Sequence, residues 1–393
     1  MSRRASQPLA SWLLVVVGFL IVYGSLFPFH FSIEGVDSVA ALFSQLGWAR
    51  STPSDIASNL LLYLPLGACL GWLLAGTLGG LLAVCGAVVL GGLLSTGIEL
   101  AQVLETRRVA SLTDVASNVA GAFLGALLAM ALRLAQHSFR NSGFNRLLSQ
   151  PAALCLLALW VGYRLAPFRV NLEPAAWLAA LERVLLGGWN PDWAILGFMV
   201  PWLVTFEAVS AIKGDRQAMR SNLTFAVCTL AGILVVSGEP LIQSEAAGVA
   251  AALLLTWPLQ RLPPGLRAVA LAIPLILLVL STGLAPLDFV TDRDTFAMIP
   301  FGESLLQYRS VQVVDMFHKC FLYGGLVWLL VRGGLRVMHA TLVSAALVLG
   351  VEVLQVWLPG KTPDITDPLL VITAGGLIAL FDPMGRAGSG LFR

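Results

Sequence analysis

The chain has 393 residues, 58% of them apolar and only 12% charged, with a mean hydropathy of +0.84, whereas an average soluble domain is about 25% charged. The net charge of +2 and the scattered basic residues give no nucleic-acid footprint. These figures exclude a soluble globular domain and predict an all-α, polytopic membrane protein, because a helix needs roughly 20 apolar residues to cross about 30 Å of hydrocarbon.

The apolar runs predict twelve spans, at 11–29, 56–75, 78–103, 112–134, 151–166, 192–212, 221–237, 243–260, 268–286, 313–331, 337–357 and 366–382. The start, Arg3-Arg4 before the run from Trp12 to Val22, imitates a signal peptide. No small-x-small cleavage site follows it, so it is expected to be a retained first span. Long polar stretches occupy 30–55, 167–191 and 287–312, and the amphipathic pieces at 40–48 and 174–182 suit short interfacial helices. Trp48, Trp177, Trp189, Trp193 and Trp202 are expected as interface anchors. The five cysteines all fall in apolar runs without a Cys-x-x-Cys pair, which predicts small apolar filler rather than a disulfide framework or metal site.

One unit recurs along these spans. Gly97-Ile-Glu-Leu-Ala-Gln102, Ser237-Gly-Glu-Pro-Leu-Ile-Gln243 and Gly350-Val-Glu-Val-Leu-Gln355 each place a glutamate in an apolar run. Upstream of each lies a proline-bearing mark, at Pro28, Pro167 and Pro286. Duplication of this kind fixes architecture before any local reading. The predicted organisation is three four-helix units, 1–134, 135–267 and 268–393. Four is even, so the copies are expected to be parallel rather than inverted. Lysine and arginine favour the connections on the N-terminal side, which predicts cytoplasmic termini and places most carboxylates towards the outer face.

The polar residues repeat with their spacing. In the first unit Asp55 and Asn59 open the second span, Glu99 and Gln102 share one face at the end of the third, Arg107 and Arg108 lie in the next loop, and Asp114 and Asn118 open the fourth. The last unit offers Asp315 and His318-Lys319, then Glu352 and Gln355, then Lys361, Asp364 and Asp367. Glutamate and aspartate stand fifteen residues apart in both, 99 to 114 and 352 to 367. The middle unit keeps Asp192, Glu239 and Gln243 but lacks the basic–acidic loop and its aspartate, and reads as degenerate.

The series Leu-Phe-Pro-Phe, Asp55-x3-Asn59-x5-Pro65-Leu-Gly67, Glu99-x2-Gln102, Arg107/Arg108 and Asp114-x3-Asn118-x2-Gly121 resembles the VanZ-like membrane proteins. That family is named for a glycopeptide-resistance accessory protein associated with teicoplanin. The resemblance covers about 12–134 well; over 281–382 Gly324-Gly325 stand in place of Pro-Leu-Gly and Val371 in place of the asparagine. It implies a multi-pass protein of the bacterial cytoplasmic membrane acting near the cell envelope, with a link to glycopeptide resistance, but no defined reaction.

An ionisable group in a bilayer is costly and tends to mark function. Glu99 and Glu352 could bind a cation or proton, act as acid–base groups, or lock helices through Gln102 and Gln355. Arg107, Arg108 and Lys361 could grip a phosphate or anionic lipid headgroup, or hold the loop by pairing with Asp114 or Glu99. Asp114 and Asp367 could belong to the site or simply cap helices. His318 is a general-base candidate by its chemistry, without a His partner at metal-ligand spacing. The glycine pairs are expected to serve helix packing. The leading reading is a protein that binds an envelope lipid or lipid-linked headgroup, without a cofactor or resident metal. An intramembrane enzyme on a lipid-linked substrate is the alternative. A transporter ranks third, because twelve-span transporters commonly divide into two halves. Membrane lipids, anionic or lipid-linked, are the expected partners; the oligomeric state is left open.

Overall fold

The computed structural model describes residues 3–32, 38–48, 51, 53–105, 109–138, 150–166, 168, 170–187, 193–236, 241–291, 295–301 and 310–381. Fourteen helices appear among them: α1 (Arg3–Leu26), α2 (Val39–Ser44), α3 (Pro53–Leu74), α4 (Gly80–Val103), α5 (Leu112–Ser138), α6 (Pro151–Leu165), α7 (Pro174–Leu186), α8 (Ala194–Lys213), α9 (Asp215–Val236), α10 (Gln243–Leu259), α11 (Pro264–Leu284), α12 (Ser310–Arg332), α13 (Val337–Gln355) and α14 (Thr366–Phe381). Each predicted span coincides with one helix, and α2 and α7 lie where amphipathic interfacial pieces were expected. Seven of the helices are long and apolar enough to cross a membrane: α4, α5, α8, α9, α11, α12 and α13. Shorter apolar segments lie in α1, α3, α6 and α14. Extended pairing among the described residues is confined to isolated bridges, Phe31 with Glu105, Gly47 with Ser111 and Ala297 with Asp364.

The helices gather into two compact units, Met1–Asn145 and Arg146–Arg393. In the first, α3 and α5 are pressed together along glycines. A Cβ on Gly67 would strike the backbone of Ala122, and one on Gly121 or Gly125 would strike the carbonyls of Leu60 or Leu64. Only a missing side chain lets two backbones approach so closely, and membrane helices rely on such contact because lipid supplies no hydrophobic drive between them. A core of Ile21, Tyr63, Leu66, Leu70, Val84 and Ala87 fills the space beside this pair.

In the second unit α8 and α12 are the central helices. Residues 200–210 of α8 and 321–329 of α12 are buried without a break. Apart from Thr205, Glu207, Ser210 and Tyr323 these stretches are apolar, and they turn no face to the surroundings. Trp160, Trp202, Phe206 and Phe321 interlock between them, with Trp160 and Trp202 edge-on at 5.3 Å. Trp202, expected at an interface, is therefore a core residue, fully buried, whereas Trp48 and Trp193 are exposed. Trp189 lies outside the described residues. The five cysteines are free.

Candidate functional site

The first polar cluster forms where α4 hands over to α5. Glu99, in the last turns of α4, is 3% exposed, and its Oε2 accepts the backbone N–H of Ser111 at 2.7 Å. Ser111 precedes α5 and its Oγ accepts the N–H of Thr113 at 3.1 Å. The cap of α5 is thus a serine, and the glutamate adds negative charge beside a helix start, where the dipole favours it. The connection after α1 folds over this turn: Ser32 N–H donates to Leu104 O at 2.7 Å, and Leu112 N–H to Gly47 O at 3.0 Å. Gln102 Nε2 donates to Ser25 O at 2.8 Å and ties α4 to the end of α1.

Asp114 does not cap. Its Oδ1 accepts the Ser51 hydroxyl at 3.4 Å, and Asp55, Asn59 and Glu99 all lie close to its carboxyl. Below it Asn118 Nδ2 donates to Ser95 Oγ at 2.9 Å, and the buried Tyr63 hydroxyl lies near Ser95 and Glu99. Asp55, Asn59, Glu99, Asp114 and Asn118 are thereby brought to one place. Arg107 and Arg108 lie outside the described residues.

The second cluster repeats this framework where α13 hands over to α14. Glu352, 4% exposed, accepts the N–H of Asp364 through Oε2 at 2.9 Å. Asp364 Oδ1 accepts the N–H of Thr366 at 2.7 Å and so caps α14. Gln355 Nε2 donates to Gly283 O at 3.1 Å, Val290 N–H to Trp357 O at 2.9 Å, and Ile365 N–H to Ala297 O at 3.1 Å. The turns after α1, α6 and α11 also share one geometry. Phe29, Phe168 and Leu287 have φ of 66°, 59° and 67°, and each N–H reaches back three residues at 2.8 Å.

What differs between the clusters is charge. Lys319, in the place of Asn59, sends Nζ to Asp367 Oδ1 at 3.0 Å and to Asp315 Oδ2 at 3.6 Å. Tyr323 Oη donates to Asp367 Oδ2 at 2.6 Å. The Ser95–Asn118 pair is replaced by Val348 and Val371, both buried. Lys361 Nζ donates to Thr282 O at 3.3 Å. His318 stands apart, its ring stacked on Tyr163 at 4.3 Å and 10°, a packing contact between α6 and α12.

Sequence reasoning missed three things here. Tyr63 and Tyr323 follow their aspartates by eight residues, on the same helix face as Asn59 and Lys319, and that i, i+4, i+8 spacing was a readable signal. Glu245, not singled out from the sequence, stands as the third residue of α10, as Asp114 does in α5. Arg164, inside the predicted span 151–166 but not singled out there, lies in α6 and clasps Glu245 through Nε at 2.8 Å and Nη2 at 2.5 Å. Both are buried. Their 81-residue separation left no local pattern to find. Asp192 and Glu239 lie outside the described residues.

Each end cluster combines a glutamate fixed by a backbone N–H with an aspartate held by side chains. Such carboxylates can accept hydrogen bonds or a proton, or face a cationic group. Among the described residues no group of three or more His, Cys, Asp or Glu is placed to hold a metal ion. No curated protein and no solved structure matches the chain. The VanZ/LLP1 family model matches residues 10–133, the stretch from α1 through α5 that builds the first cluster. Over that stretch the chain is similar to the VanZ-like proteins.

Proposed function

We propose that this is a VanZ-type protein of the bacterial cell envelope that binds a lipid or lipid-linked headgroup at two polar sites, centred on Glu99–Asp114 and Glu352–Asp367. The observation that carries the reading is the duplication of one hydrogen-bond framework around a buried glutamate, with the interior residues varied between copies. A structural lock would need only neutral or paired groups, whereas these clusters keep several carboxylates where burial of charge is costly. In this reading the chain is three parallel four-helix sets, 1–134, 135–267 and 268–393. Twelve helices cross the cytoplasmic membrane, both termini are cytoplasmic and both sites face outward. Arg107 and Arg108 add anion-binding forks to the first site. The Arg164–Glu245 pair fills the corresponding region of the middle set, which serves as scaffold. Occupancy of the outer sites by envelope lipid would couple the protein to teicoplanin-type glycopeptide tolerance.

The test is mass spectrometry of lipids that copurify with the native protein and with Glu99→Gln. The amide keeps an oxygen for Ser111 N–H, so the fold is expected to persist while the characteristic lipid is lost. Equal lipid profiles from equal amounts of folded protein would remove the reading.

A further inference from the structure

A second polar group gathers in the Arg146–Arg393 unit, away from the Glu352–Asp367 site. Lys319 and Arg332 mark the two places on α12, thirteen residues and about 20 Å apart. Arg267 of α11 binds Glu207 of α8 through Nε and Oε2 at 2.6 Å, and Asp215 through Nη2 and Oδ1 at 3.1 Å. Arg332 Nη2 reaches Glu207 Oε1 at 3.0 Å. The two guanidinium and two carboxylate charges cancel, which makes such burial tolerable. Several donors of the network lack a hydrogen-bond partner, Arg267 Nε and Arg332 Nε among them, although both guanidinium groups are ion-paired. Arg267 is 3% exposed, and its Nη1 has no hydrogen-bond partner; the buried Nε2 of Gln260 has none either.

Both side chains line a small chamber with Glu207, Ser210 and Thr256. The hydroxyls of Ser210 and Thr256 donate to Phe206 O and Ala252 O, and Glu207 is held by two arginines. The unmet hydrogen-bonding capacity is therefore on the donor side, one donor of it carrying positive charge, and unmet buried donors are costly. The chamber volume of about 10 Å³ is close to the roughly 10–15 Å³ that one water-sized group, such as a single oxygen, requires.

The chamber adjoins an apolar groove of about 460 Å³, and Leu203, Leu259 and Leu271 line both. That volume lies within the roughly 300–1,000 Å³ of small-molecule sites. Met199, Leu255 and Pro274 continue the groove walls, and the short Ala270 leaves space between them. Next to Gln260, the Arg261 guanidinium lies 3.7 Å over the Trp257 ring, a pair suited to the level of lipid headgroups. An apolar groove between membrane helices meets acyl chains as its surrounding medium, and a phosphate is the oxyanion that accompanies them.

We propose that this place is a glycerophospholipid site, distinct from the two carboxylate clusters. One acyl chain lies in the groove, and one phosphate oxygen accepts hydrogen bonds from Arg267 Nη1 and Gln260 Nε2. The site supports the α8–α10–α11 junction by completing the buried donors.

The experiment measures the melting temperature of the purified full chain in detergent, titrated with phosphatidylglycerol, with diacylglycerol of the same chains, or with inorganic phosphate. Binding to the folded state raises the melting temperature by linkage. Phosphatidylglycerol is expected to raise it by several degrees, with neither other probe doing so. Gln260→Met, which removes the unmatched donor, and Ala270→Phe, which fills the groove, are each expected to cut that shift by at least half. Without lipid Gln260→Met should melt no lower than the parent, because its buried Nε2 has no hydrogen-bond partner to lose. An unchanged lipid shift in Gln260→Met would overturn the proposal and leave the chamber to water. A full shift with diacylglycerol or with phosphate alone would overturn it, as would a lower melting temperature of lipid-free Gln260→Met.

Discussion

At the residue scale the two carboxylate clusters differ by one substitution of consequence. Lys319 gives Asp367 and Asp315 an ammonium, whereas Asn59 brings Asp114 only a neutral amide. Lys319→Met leaves Asp367, 5% exposed at its side chain, without its cation. Breaking a buried pair costs about 3–5 kcal/mol, and the partial exposure of Lys319 places the expected loss near the lower figure. Equilibrium unfolding in detergent would record it. Tyr323→Phe removes the hydroxyl donated to Asp367 and is expected to cost about 1.5–3 kcal/mol, the range for a hydrogen bond to a charged group. The matching Tyr63→Phe is expected to cost less, because the Tyr63 hydroxyl makes no well-formed hydrogen bond. Equal losses in the two variants would contradict this distinction.

At the element scale the α3–α5 crossing depends on hydrogen atoms where other residues have Cβ. Gly125→Ala must push α5 away from Leu64 and Ala68, backbone that cannot rotate aside. Overpacking of this kind costs about 1–3 kcal/mol or more, so the variant should melt lower and yield less monodisperse protein. Gly376→Ala is the control: nothing lies within 4 Å of the added Cβ, and helix propensity alone should make it neutral or better by up to about 1 kcal/mol. Glycine pairs were legible as packing residues because no strand–turn–helix context surrounds them. Their partners were not legible, since a sequence does not say which helix lies opposite. Gly376 shows the limit, for it faces open space while its neighbour Gly375 meets Thr341.

At the scale of the molecule, Arg164 and Glu245 join α6 to α10 inside the larger unit. Glu245→Gln strands a buried guanidinium and should cost about 3–5 kcal/mol, while Arg164→Met combined with Glu245→Met should recover most of it. A double variant as unstable as the single one would show that the pair does more than neutralise itself. Topology is tested separately by tag accessibility at the two ends of the chain. The proposed twelve crossings would return the chain to its starting side, so both tags should then be reached from the same side of the membrane.

The sequence by itself determined the membrane class, the helix positions and the fifteen-residue spacing of Glu99 to Asp114 and Glu352 to Asp367. Each is a local property, written in run length or in residues on one helix or its next turn. It also carried the VanZ resemblance of the first 134 residues, whose motifs are contiguous. Tertiary structure alone decided which polar groups meet. Ser111 and Asp364, rather than Asp114 and Asp367, became the caps, because Glu99 and Glu352 fix the preceding turn through their N–H groups. His318 went to a stack with Tyr163, since α6 packs on that face of α12. The Arg164–Glu245 and Glu207–Arg267–Arg332 contacts span 60 to 125 residues, and only helix packing brings charges so far apart in the chain to hydrogen-bonding distance.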